Sequence, residues 1–108
     1  MTTSTSTQTA VAEIVTFKLK DGVSDADFVA ISQQTESWVR SAAGFRARHL
    51  SKDEHGVWTD YVIWEDMEKA MRVAREFEKQ DFAPAIGGAI NPETISIRHS
   101  AIQWQMAS

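Results

Sequence analysis

The order in which strand-like and helix-like segments follow one another is the feature that most constrains this fold. Strand-like alternation of side chains marks residues 12–19, 45–52, 57–64 and 94–105. Helical spacing of apolar side chains marks residues 25–42 and 66–80. The resulting order, β-α-β-β-α-β, predicts a ferredoxin-like α+β sandwich with an antiparallel sheet in the order 4-1-3-2 and both helices on one face.

The length of the chain favours a single folded domain. The 108 residues suit one domain, which we place at residues 11–108, near the size at which dimerisation helps stability. Residues 1–10 are expected to form a disordered tail, because the stretch MTTSTSTQT is polar and offers little apolar surface to bury. The same stretch lacks the basic start and apolar core of a secretory signal.

Composition excludes several classes of function. A net charge of −4 argues against nucleic-acid binding, which needs clustered Lys and Arg. The apolar runs fall short of the roughly 20 residues that a membrane-spanning helix requires, so no membrane association is expected. The absence of cysteine excludes disulfides and thiolate chemistry and leaves the cytoplasm as the expected location. No metal-ligand spacing is present, so no metal site is predicted.

The turn between the second and third strands fixes their pairing. In KDEHG, Asp53 suits the first position of a type I turn and Gly56 the fourth, which predicts a three-residue loop. This register sets His49 opposite Tyr61 and makes Arg48 and Lys52 the diagonal neighbours of Asp60. Asp60 is therefore expected to be a structural carboxylate with basic partners.

The same register predicts two different sheet faces. The apolar face, expected under the helices, includes Val15, Phe17, Phe45, Ala47, His49, Thr59, Tyr61, Ile63, Ile97 and His99. The opposite face holds three of the four tryptophans, and an exposed aromatic patch usually marks an interaction site. We therefore expect a homodimer, with a second copy covering this face by two-fold symmetry. The predicted interface residues are Trp58, Asp60, Trp64, Arg48 and Trp104.

The predicted helix-facing side carries the candidate catalytic pair, His49 and Tyr61. An imidazole and a phenol hydroxyl can supply a base and a hydrogen-bonding group to an aromatic substrate. The candidate substrate-binding residues around them are Trp38, Thr59, Ser51, His99 and Phe77. The alternative is structural: His49 hydrogen-bonded to Tyr61 in the core, with Trp38 serving as core packing.

The stretch AAGFRARHLSKDEHGVWTDYVIWEDMEKAMRVAREF, residues 42–77, resembles the antibiotic biosynthesis monooxygenase family. In it, Gly44-Phe45 opens the second strand, and Trp64 closes the third before a helix that starts EDMEKA. The resemblance implies a dimeric α+β barrel with a pocket between helices and sheet. In catalytic members this pocket oxidises polycyclic aromatic substrates with O₂ and with no metal or flavin.

Two departures from the family pattern bear on activity. The first strand reads Glu13-Ile14-Val15-Thr16 and lacks the Asn that catalytic members often carry. No His occurs between residues 66 and 80, which disfavours haem degradation.

Two functions therefore stay open from the sequence. One is a cofactor-independent monooxygenase acting on an aromatic or quinone-like small molecule. The other is a non-catalytic homodimer that binds a small ligand or serves as an accessory protein. The Gly-containing segment 82–92 is either a lid over the pocket or an ordinary connection.

Overall fold

The computed structural model describes residues 9–106, so most of the predicted tail at residues 1–10 lies outside the described residues. The strands are β1 (Val11–Phe17), β2 (Phe45–Lys52), β3 (Trp58–Trp64) and β4 (Ser96–Ala101). The α-helices are α1 (Asp25–Gln33), α2 (Glu36–Arg40), α3 (Met67–Phe77) and α4 (Ala83–Ala89), and residues Pro92–Thr94 form a short 3₁₀ turn.

The sheet confirms the predicted fold class. Its four strands are antiparallel and lie in the order β2-β3-β1-β4, which is the predicted order read from the other edge. The pairing of β2 with β3 is also as predicted, with His49 opposite Tyr61. Asp53 fixes the turn between them, because its Oδ1 accepts hydrogen bonds from the backbone N–H groups of His55 and Val57. These bonds, chiefly the one from Val57, lower the pKa of the Asp53 carboxyl.

The first predicted helix is divided in two by Thr35. Ser24 caps α1, since its Oγ accepts a hydrogen bond from the Asp27 N–H. At the break, the Thr35 hydroxyl donates to the Ser32 carbonyl at 2.7 Å. Such back-bonding bends helices, and here it separates α1 from α2.

The second half of the chain supplies α3 and α4. Asp66 caps α3 by accepting a hydrogen bond from the Lys69 N–H, and that bond lowers the pKa of the Asp66 carboxyl. Gly44 lies against this first turn with a φ of +91°, and a Cβ there would come within 2.5 Å of the Lys69 side chain. Gly44 is therefore required both by its backbone conformation and by its close approach to α3. The segment after α3, for which a loop with or without one short helical turn is expected, contains the short helix α4.

All four helices pack on one face of the sheet. One apolar cluster joins Phe17 and Trp58 of the sheet to Phe28 of α1 and to the end of α4 at Ala89 and Ile90. The second joins the sheet to α2 and α3, through Val39, Val62, Trp64, Ala70 and Val73. The core thus lies between the sheet and the helices, as in other two-layer α+β folds.

The predicted faces of β2 and β3 are wrong, although those of β1 and β4 are right. Val15 lies opposite Asp60, so the even-numbered residues of β3 share the helix-facing side with Val15 and Phe17. The cause is a bulge in β2: Phe45 pairs with Trp64 but Ala47 pairs with Ile63, which leaves Arg46 as an extra residue. Phe45 does face the helices, but the bulge turns residues 47–52 over relative to it.

Candidate functional site

A cavity lies between the helices and the sheet. Its volume is about 360 Å³, within the range of small-molecule sites. Its apolar lining residues are Val15, Phe17, Phe28, Val39, Val62, Trp64, Val73, Ala74, Phe77, Ala83, Ile86, Ile90, Ile95 and Ile97. Its polar lining residues are Glu13, Ser32, Arg48, Asp60 and Glu78. Apolar walls with a few convergent polar groups are typical of a binding site for a small, largely apolar molecule.

Glu13 and His99 form a carboxylate–imidazole pair at one side of the cavity. His99 Nε2 lies 3.1 Å from Glu13 Oε2, and the side chains are only 18% and 16% exposed. The Trp64 indole N–H donates to Glu13 Oε1 at 3.3 Å. Glu13 is thus held in position from both sides, and it is one of the residues that line the cavity.

Arg48 and Asp60 form the second polar group. The guanidinium donates to both carboxylate oxygens of Asp60, at 3.0 and 2.8 Å, which is a bidentate ion pair. Its Nη1 donates to the Thr35 hydroxyl at 2.8 Å, and Thr35 is fully buried. The ion pair therefore ties β2 and β3 to the junction between α1 and α2. The prediction of basic partners for Asp60 is therefore confirmed for Arg48 but not for Lys52, which pairs with Asp25 instead.

The two polar groups are close neighbours on the sheet. Arg48 pairs with Val62, Val62 with Glu13, and Glu13 with His99, so the four residues form one row across the strands. With neighbouring strands about 4.8 Å apart, the backbones of Arg48 and Glu13 are roughly 10 Å apart. A planar ligand lying over Val62 could contact both groups at once.

His49 and Tyr61, the predicted catalytic pair, are opposite each other as expected but lie on the face away from the cavity. Thr59 and Ser51 lie on that same face, because side chains alternate along a strand. The prediction that these four residues face the helices is wrong. The bulge turns His49 and Ser51 over relative to Phe45, and the pairing of β3 with β1 sets Tyr61 and Thr59 beside Ile14 and Thr16 on the open face. Their functional roles are not tested by this placement.

The other predicted ligand-binding residues have separate positions. His99 is on the helix-facing side, as predicted, and pairs with Glu13. Phe77 lines the cavity. Trp38 instead belongs to an aromatic cluster, with its ring centroid 5.9 Å from that of Phe77 and 5.7 Å from that of Phe82. This position agrees with the packing alternative for Trp38.

Four of the five predicted interface residues lie on the helix side of the sheet. Trp58 and Trp64 are buried in the core, and Arg48 and Asp60 line the cavity. Their expected placement on an open face is therefore wrong. The fifth, Trp104, follows β4 and is 78% exposed.

Glu13 is the cavity residue that sequence reasoning missed. The signal was present, because Glu13 alternates with Val15 and Phe17 and so places a carboxylate on the apolar face of its strand. A carboxylate in that position needs a partner. Finding the partner required the pairing of β1 with β4, which sets Glu13 opposite His99.

A second depression, of about 310 Å³, lies outside the cavity, between α1, α2 and β2. Arg48 lines both the depression and the cavity, whereas Glu13 lines only the cavity. Among residues 9–106, no cluster of three His, Asp or Glu side chains could hold a metal ion. No helix in this part of the chain is long and apolar enough to cross a membrane.

The strand order and the single helix layer define a ferredoxin-like α+β fold, which solved structures of antibiotic biosynthesis monooxygenase-like proteins share. One, from Bordetella bronchiseptica and assigned provisionally to these monooxygenases, is 22% identical, with a TM-score of 0.74 over 90% of this chain and 100% of that chain. A variant of SnoaB, a cofactor-independent oxygenase from Streptomyces nogalater, is 14% identical, with a TM-score of 0.71 over 92% and 98%.

A third, provisionally assigned protein, from Chloroflexus aurantiacus, is 15% identical, with a TM-score of 0.71 over 91% of this chain and 97% of that one. No protein-family model matches the chain, and no curated protein matches it. At these identities the comparisons show a shared fold.

Proposed function

We propose that this protein is a cofactor-independent monooxygenase whose substrate is an aromatic or quinone-like small molecule bound in the cavity between helices and sheet. The observation that carries the proposal is that Glu13, which is paired with His99, lines a largely apolar cavity. The occurrence of a cofactor-independent oxygenase among proteins of the same fold supports it.

The cavity supplies what such a reaction needs from a protein. A base removes a proton from an activated carbon or hydroxyl of the substrate, and the resulting anion is electron-rich enough to react with O₂. For an anthrone, one oxygen atom of O₂ becomes the new ring carbonyl oxygen and the other leaves as water. The ring methylene supplies both hydrogens of that water and the electrons that reduce O₂. Glu13, held by Trp64 and His99, is the group placed to receive the proton. The apolar walls exclude water from the anion.

Oxygen uptake tests this proposal. Purified protein is expected to accelerate O₂ consumption by a panel of hydroxyanthrones and quinols, and Glu13→Gln is expected to lower the rate by about 10²-fold, the usual scale for a general base. The matched comparison is His49→Ala, which removes an imidazole from the opposite face and is expected to retain most of the activity. Loss of activity in His49→Ala with an unaffected Glu13→Gln would place the base on the other face.

A second candidate is a non-catalytic ligand-binding protein of the same fold. It is favoured by the observation that both polar groups of the cavity are internally partnered, Glu13 by His99 and Asp60 by Arg48. In that case, aromatic compounds would quench the fluorescence of Trp64, which lines the cavity, without any oxygen uptake above the uncatalysed rate.

We also propose that the chain forms a homodimer through the open face of the sheet. The helices cover the other face, while Tyr61 and its cross-strand neighbour Ile14 remain only half-buried near the middle of this one. A second copy would bury both residues by two-fold symmetry.

Sedimentation tests the dimer. Tyr61→Glu places a charge in the middle of the proposed interface and is expected to raise the monomer fraction at least tenfold, since an unpaired buried charge is costly. Val29→Glu, on the exposed side of α1, introduces the same charge elsewhere and should leave the dimer intact. A monomeric wild type, or a Tyr61→Glu variant that still dimerises, would contradict the proposal.

A further inference from the structure

The charges at the cavity surface are unbalanced. Three carboxylates, those of Glu13, Asp60 and Glu78, line it, against one guanidinium, that of Arg48. The Arg48 charge is balanced by Asp60, both of whose oxygens it binds, and a third of its five N–H groups donates to Thr35. Among the described lining residues there is accordingly no cation without a carboxylate partner.

Glu13 differs from Asp60 in what it can still accept. A carboxylate can accept about four hydrogen bonds, and Glu13 receives one at each oxygen, from Trp64 and from His99. This cavity-lining carboxylate therefore keeps lone pairs that no hydrogen bond to Trp64 or His99 uses. A ligand hydroxyl, which donates, can use them, whereas a ligand carboxylate, which only accepts, cannot.

We infer that Glu13 determines the specificity of the cavity, by binding a hydroxyl group of a neutral aromatic ring and by excluding rings that carry a carboxylate. The inference rests on the proposed use of this cavity for aromatic ligands. An anionic ring would lose its hydration on entering apolar walls and would meet the Glu13 charge without a counter-ion. A neutral phenol loses little hydration and gains a charge-assisted hydrogen bond.

Binding of three matched naphthalenes tests the inference: naphthol, its methyl ether and a hydroxynaphthoate. Affinities are measured from the quenching of tryptophan fluorescence at about pH 8, where a free carboxylic acid is ionised and a phenol hydroxyl is not. Wild type is expected to bind naphthol several-fold more tightly than the ether. It is expected to bind hydroxynaphthoate at least about tenfold more weakly than naphthol, since juxtaposed like charges are strongly unfavourable.

The variant Glu13→Gln removes the charge and keeps an oxygen for the Trp64 N–H. It is expected to raise the affinity for hydroxynaphthoate about tenfold relative to naphthol. The control Glu54→Gln removes one negative charge from the exposed β2–β3 turn and should leave the ratio within twofold of wild type. The comparison within wild type does not depend on the folding of either variant.

The outcomes separate this inference from the proposed function. Equal wild-type affinity for naphthol and hydroxynaphthoate, or a ratio unchanged by Glu13→Gln, would overturn the role of Glu13 while leaving aromatic binding in place. No binding of any of the three compounds would overturn both. If the expected ratio of affinities for naphthol and hydroxynaphthoate is measured but no substrate causes oxygen uptake, the role of Glu13 stands and only the proposed oxygenase activity is contradicted.

Discussion

Replacing Asp60 with asparagine is expected to lower the free energy of unfolding by about 2–3 kcal/mol. The change leaves the Arg48 guanidinium without a counter-ion beside an apolar cavity, and breaking a fully buried pair costs about 3–5 kcal/mol. The expected loss is smaller because the two side chains are 20% and 19% exposed. Urea denaturation followed by circular dichroism measures it, with the midpoint shifted and the slope unchanged.

The surface pair between Glu36 and Arg40 provides the control. Its side chains are 62% and 68% exposed, and such pairs contribute about 0–1 kcal/mol. Glu36→Gln should therefore change stability by less than about 1 kcal/mol. Equal effects of Asp60→Asn and Glu36→Gln would mean that the Arg48–Asp60 pair is solvated and does not fix the α1–α2 junction.

Replacing Trp58 with alanine is expected to have a still larger effect, about 3–5 kcal/mol of lost stability. Trp58 is 4% exposed, and its ring packs edge-on against Phe28, with centroids 5.1 Å apart. Removing it leaves a void among Phe17, Phe28 and Ile90, which belong to the same cluster. Thermal unfolding measures the loss.

Trp104→Ala is the matched control, because Trp104 is 78% exposed and its removal should change stability by no more than about 0.5 kcal/mol. Sedimentation distinguishes the core role of Trp58 from an interface role. A folded Trp58→Ala monomer of nearly wild-type stability would contradict the core position and support an interface.

Much of the fold was predictable because local signals agreed with one another. The β2–β3 hairpin is the clearest case: Asp53 and Gly56 specify a turn, the turn specifies a register, and the structure has that register. The strand order followed in turn from the sequence of elements.

The faces of β2 and β3 were not predictable in the same way. The residue types around Arg46 do not reveal the bulge. If strict alternation is continued from Phe45, residues 47–52 are assigned to the face opposite to the one they occupy. Asp60 added to the error, because a carboxylate makes a strand face look solvent-exposed. In the structure Arg48 neutralises it, so the charge is compatible with the helix-facing side.

The sequence prediction of the candidate site depended on the faces assigned to β2 and β3, so most residues of the site were missed. His99 was placed correctly because β4 has no bulge, but its partner Glu13 depends on the pairing of β1 with β4, which connects residues far apart in the chain. The helical segment α4 also contributes cavity walls from a stretch expected to be a loop.

The bulge at Arg46 has a consequence for comparing this chain with other proteins of the same fold. Where such a protein has a regular second strand, an alignment must open a one-residue gap between Phe45 and Ala47. Without that gap, residues 47–52 are matched to positions on the wrong side of the sheet, so that Ala47 is equated with the helix-facing position of Arg48 and His49 with that of Leu50. Assigning function by transferring residues along an ungapped alignment would therefore select the wrong histidine.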